Sequence, residues 1–110
     1  MEIRVRADRP LAAEDELVSF VGFEVLAGLG PCAERVLTAH VQVTTHRPLQ
    51  AGPAELLCLL EVHPRGHPAL AVTHRAATRD DAVRGAVGDM RGVLERMFRR
   101  IDARPLEHSA

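Results

Sequence analysis

Polar and apolar residues alternate over residues 2–8, with Glu2, Arg4 and Arg6 on one side and Ile3, Val5 and Ala7 on the other. A period of two is that of a strand with one face buried. Pro10 stops it, and over residues 13–29 the period lengthens to that of a helix. Glu14, Asp15 and Glu16 stand at the positive end of this helix, and Gly28, Gly30 and Pro31 terminate it. Residues 37–45 alternate again, with Leu37, Ala39, Val41 and Val43 on one face and His40, Gln42 and Thr44 on the other. Pro48, Gly52 and Pro53 predict a loop. Residues 55–63 form a strand apolar enough that both faces are expected to be partly covered. A Pro64-Arg65-Gly66-His67 turn returns the chain as a fourth strand over residues 69–74, an antiparallel hairpin. Thr78 and Asp81 then have the spacing of a capping box, opening a helix that runs to about residue 103, before Pro105.

The order β-α-β-β-β-α predicts an α+β fold. A right-handed crossover sets the first two strands parallel, giving a four-stranded mixed sheet with two helices packed on one face. One domain is expected over residues 1–104, with a short C-terminal tail at 105–110. On the second helix, Val83, Val87, Met90, Leu94, Met97 and Ile101 form the inward stripe, with Phe98 at its edge. Gly85, Gly88 and Gly92 fall opposite, bordered by Arg84 and Arg91 on one side and Arg96, Arg99 and Arg100 on the other. That strip reads either as a flattened track where a phosphate backbone approaches between guanidinium margins, or as a solvated face without a role. On the first helix, Leu17, Val18, Val21, Val25 and Leu29 face inward, while Phe20 and Phe23 point away, with Leu26 and Ala27 nearby. Lateral packing accounts for Phe20. Phe20, Phe23 and Ala27 together predict a protein interface, a homodimer or a partner on the first helix.

Charge sharpens the picture. Net charge is -1 and all fourteen basic residues are arginine. Residues 1–60 hold five arginines against eight acids, whereas residues 61–110 hold nine against seven. A local anionic partner for the second helix is compatible with this; a broad basic face is not. No apolar run is expected to reach the ~20 residues that cross a membrane. Cys32 and Cys58 imply no disulfide framework and point to a reducing cytoplasm. The six histidines lack metal-ligand spacing, although His40 would lie near Glu61 or His63, so neither metal nor cofactor is predicted. His74, where the fourth strand meets the helix, would contact RNA or hydrogen-bond to shape the turn. No nucleophile, base and oxyanion hole assemble, so no enzyme is predicted. Without Trp or Tyr, RNA contact would be to phosphate and shape.

The passage Ala71-Val72-Thr73-His74-Arg75-Ala76-Ala77-Thr78-x-Asp80-x-Ala82-Val83, in this element order, resembles the ribosome hibernation promoting factor and ribosome-associated inhibitor A family, also called sigma-54 modulation proteins. Phe20-Val21, Leu29-Gly30, Arg35-Val36 and Val41-x-Val43 extend the likeness over nearly the whole chain, as a short form. The resemblance implies a bacterial, cytoplasmic, non-catalytic protein of the stress response that docks in the decoding channel of the small ribosomal subunit. RNA would be gripped by Arg35, Arg75, Arg84, Arg91, Arg96, Arg99, Arg100 and Arg104. The family's acidic-Lys-Leu-x-Arg signature falls here on Gly88-Asp89-Met90-Arg91-Gly92, so its lysine and arginine are replaced. The alternative is a homodimerising interaction module that has lost most ribosome affinity.

Overall fold

The computed structural model describes residues 1–8, 14–46 and 52–103. The elements are β1 (Glu2–Ala7), α1 (Glu14–Leu29), a 3-10 segment (Gly30–Arg35), β2 (Val36–His46), β3 (Glu55–Pro64), β4 (Leu70–Ala76) and α2 (Arg79–Asp102). The sheet has the order β1-β2-β3-β4, parallel between β1 and β2 and antiparallel elsewhere. This is the predicted α+β architecture, with element ends within two residues of the expected ones.

Alternation builds the core. Register places Val5, Val41, Leu60 and Val72 in one row across all four strands. Leu60 is completely buried, as are Val21, Val25 and Leu29 of α1 and Val83, Met90 and Leu94 of α2. Both helices therefore cover the same sheet face, and their apolar residues join one cluster. At the start of α2 the Thr78 hydroxyl accepts the Asp81 N–H at 3.2 Å, and Asp80 and Asp81 face the positive end of the helix dipole. Gly30 takes φ +58, the left-handed conformation that lets α1 turn into the 3-10 segment.

Four expectations are corrected. Leu37 is 49% exposed, because the register shifts between Val36 and Thr38 and this bulge turns Leu37 to the uncovered face. Val18 is 44% exposed: it sits on the flank of α1 away from α2, whereas Phe20, Glu24 and Gly28 occupy the flank that meets α2. β3 is covered on one face only, with Leu59 open to solvent on the other. Finally, Asp15–Arg35 is long and apolar enough, by length and composition, to cross a membrane, since Glu24 is the only charged residue between Leu17 and Leu29. In the fold one side of this stretch, Leu17, Val21, Val25, Leu29 and Cys32, is core.

Candidate nucleic-acid interface

The arginines expected to contact RNA have different neighbours. Arg96, Arg99 and Arg100 lie exposed on the last turns of α2, and none makes an ion pair among the described residues. Arg84 Nε donates to Glu24 Oε1 at 3.0 Å, tying α2 to α1. Arg91 Nε reaches Glu95 at 3.4 Å, and its Nη1 points at the Gly28 carbonyl at 3.5 Å, near the negative end of the α1 dipole. Arg35 pairs with Asp102 at 2.9 Å and lies 3.9 Å above the Phe98 ring, which this contact and the 3-10 segment bury more deeply than an edge position suggests. These pairs are partly exposed and each is worth less than about 1 kcal/mol, so phosphate could exchange with the carboxylates. Arg75 is the partner of Leu57 and projects from the uncovered face of the sheet, away from α2. Arg104 lies outside the described residues.

The glycine strip is not uniform, contrary to its reading as three outward positions. Gly88 is open, with no atom near the place that a Cβ would take. Gly85 is instead covered: a Cβ there would land on the His74 ring. That ring is held by Asp89, whose Oδ2 lies 3.0 Å from His74 Nδ1. A carboxylate only accepts, so this nitrogen carries the proton. Asp89 thus fastens β4 to α2, and the hydrogen bond that His74 makes reaches the middle of the helix instead of shaping the turn before it. Gly88→Ala should raise stability by about 0.5–1 kcal/mol through helix propensity. Gly85→Ala should lower it by about 1 kcal/mol, because displacing the ring costs more than propensity returns. Urea midpoints moving in opposite directions check the pair.

The outer side of α1 carries Phe23, 69% exposed, and Leu26, 53% exposed, with Ala27 beside them. Phe20 is half-buried on the α2 flank, with the Arg79 and Arg84 guanidinium groups each 5.4 Å from its ring centroid. Gly22 leaves open space between the exposed apolar side chains.

The titratable groups offer little chemistry. Burial pushes the Cys58 thiol up to about 12, and burial followed by the Glu95 charge raises that of Cys32, so neither is a thiolate near neutrality. His40 faces Glu61 across the β2–β3 pair, its ring 6.0 Å from that of His63, and His63 Nε2 lies 3.4 Å from Glu61 Oε1. Among the described residues no three His, Cys, Asp or Glu side chains converge on a metal position. A groove of about 270 Å³ opens on the same face, lined by Arg4, Arg6, His40, Gln42, Leu59 and Glu61. Periodicity registers Arg4 and Arg6 only as polar positions of a strand. The crossover rule, which sets β1 beside β2, is the signal that places them next to His40 and Gln42.

No protein-family model matches the sequence, and no curated protein matches it significantly. Solved structures do share the fold. A ribosomal subunit interface protein from Coxiella burnetii superposes with a TM-score of 0.69 at 10% identity, covering 88% of this chain and 97% of that one. The N-terminal domain of Thermus thermophilus Protein Y superposes with a TM-score of 0.68 at 22% identity, covering 88% of this chain and 99% of that one.

Proposed function

We propose that this chain is a ribosome-associated factor that occupies the small subunit and holds it idle, acting in the cytoplasm by covering a surface and turning over no substrate. The observation that carries the reading is the cluster Arg96, Arg99 and Arg100 on the end of α2, exposed and without ion partners among the described residues, on a fold shared with a ribosomal subunit interface protein. Guanidinium groups present planar forks that suit phosphate oxygens, and three on two helical turns can meet neighbouring phosphates of structured RNA. Arg35, Arg84 and Arg91 would add to this by exchanging their carboxylate partners for phosphate, and Arg104 follows them in the chain. Co-sedimentation with ribosomes from stationary-phase cells across a salt series tests it. Binding through ~5 phosphate contacts should weaken with a log–log slope on the order of -3 to -4. No pelleting at low salt would end the proposal.

The exposed Phe23 and Leu26 favour a second reading, self-association through α1. A two-fold pairing needs a face compatible with itself, and an uncharged apolar face beside the open Gly22 satisfies that. Phe23→Ser should shift the chain toward monomer in sedimentation velocity, with at least a tenfold weaker dimer. A wild-type monomer at all concentrations would remove this reading and leave the first intact.

A further inference from the structure

The uncovered face of the sheet carries a second arrangement suited to RNA, on the side opposite the helices. Arg4 and Arg6, two residues apart on β1, point to the same side, about 7 Å from one another along the strand. Register sets Arg4 beside His40 and Arg6 beside Gln42, and these in turn beside Glu61 and Leu59. One bank of the groove is therefore cationic, its middle is an imidazole and a carboxamide, and its far wall is an aliphatic side chain and a carboxylate. Arg4 meets Glu2 only at 3.4 Å with both groups largely exposed, and Arg6 makes no ion pair among the described residues. At the other edge, about 14 Å away across three strand spacings, Arg75 stands on the same face beside Leu57.

We infer that this face holds a short segment of single-stranded RNA by its backbone, with Arg4 and Arg6 on phosphates, Arg75 on a phosphate further along, and Gln42 and Glu61 on ribose hydroxyls. Charge and shape select this ligand. At about 270 Å³ the groove falls below the roughly 300–1,000 Å³ of sites that enclose a small-molecule ligand, so a free nucleotide would fit it poorly. A polymer crossing the sheet gains from every contact at once. The Glu61 carboxylate repels a bare phosphate but accepts a hydrogen bond, so the ligand must bring a donor between its anionic groups, as the 2′-hydroxyl does. This face carries no Phe, Tyr or Trp, and its aromatic rings are imidazoles such as those of His40 and His63, so base stacking adds little and sequence preference should be slight. The inference borrows from the ribosome reading only the availability of RNA, and it uses a different face of the molecule.

The test is fluorescence anisotropy of a short dye-labelled oligouridine with the full chain, beside ribosome co-sedimentation. Arg4→Gln/Arg6→Gln should weaken oligouridine binding roughly tenfold or more and reduce its salt slope by about 1.4, the value for two phosphate contacts to a single strand. Leu59→Asp, an exposed change that adds a negative charge to the groove, should weaken it comparably, with unchanged circular dichroism. Replacing Arg96, Arg99 and Arg100 by glutamine should leave oligouridine binding within twofold. An oligothymidylate of equal length should bind several-fold more weakly. Wild-type affinity in the Arg4/Arg6 variant, loss only in the α2 variant, or equal binding of DNA would each overturn the inference. Oligouridine binding through Arg4 and Arg6 by a protein that does not pellet with ribosomes would sustain it while ending the ribosome proposal.

Discussion

Replacing Arg96, Arg99 and Arg100 together by glutamine should reduce ribosome co-sedimentation on the order of a hundredfold at low salt and flatten its salt dependence by two to three units of slope, roughly one per phosphate contact removed. These side chains lie exposed on α2 and make no ion pair among the described residues, so folding should be nearly unaffected. Removing positive charge from the last turn weakens the complement to the helix dipole by a few tenths of a kcal/mol at most. By contrast, Arg84→Gln leaves Glu24 without its partner between the helices, so that variant would mix stability with binding. An α2 triple variant with unchanged melting and unchanged pelleting would show that the end of α2 does not meet the ribosome.

Leu60→Ala should cost about 3–4 kcal/mol, the second large effect. Leu60 is completely buried on β3, an inner strand, in the row that runs Val5, Val41, Leu60, Val72. Truncation removes apolar burial and leaves a space that neighbours fixed on the other strands and on α2 fill poorly. Against a total stability of roughly 5–15 kcal/mol for a domain of this kind, that approaches unfolding. Leu60→Met, which keeps the volume, should cost less than about 1.5 kcal/mol. Leu59→Ala, one residue away on the open face, should be nearly silent. Urea denaturation of the three variants checks the ordering, and equal losses at 59 and 60 would contradict the assignment of the two faces.

The fold was legible in the sequence because local periods are enough to define it. Strands alternate, α2 carries a stripe and a Thr78 cap, and the crossover rule settles which strands are parallel. What was illegible depends on spatial neighbours. The bulge at Leu37 is a property of β2 pairing with β3, and no residue of the strand announces it. Gly85 resembled Gly88 until the end of β4 brought His74 against one and left the other open. The arginines were alike in composition, yet Glu24 and Asp102 engage Arg84 and Arg35 from positions distant in the chain. On α1 the exposed Phe23 followed from helical geometry, whereas Val18 depended on where the sheet and α2 stop covering it.

The parallel pairing of β1 with β2 also sets an order of assembly. β2, β3, β4 and α2 follow one another with short connections, whereas β1 reaches its partner only after α1 has folded back across the chain. Closing that larger loop carries the greater entropic cost, and β1 is an edge strand with a single neighbour to repay it. The first six-residue strand is therefore a detachable unit whose local opening need not disturb the hairpins. Because Arg4 and Arg6 ride on it, one bank of the sheet-face groove exists only while β1 is docked, and anything that grips both arginines would act as a clasp on the amino terminus.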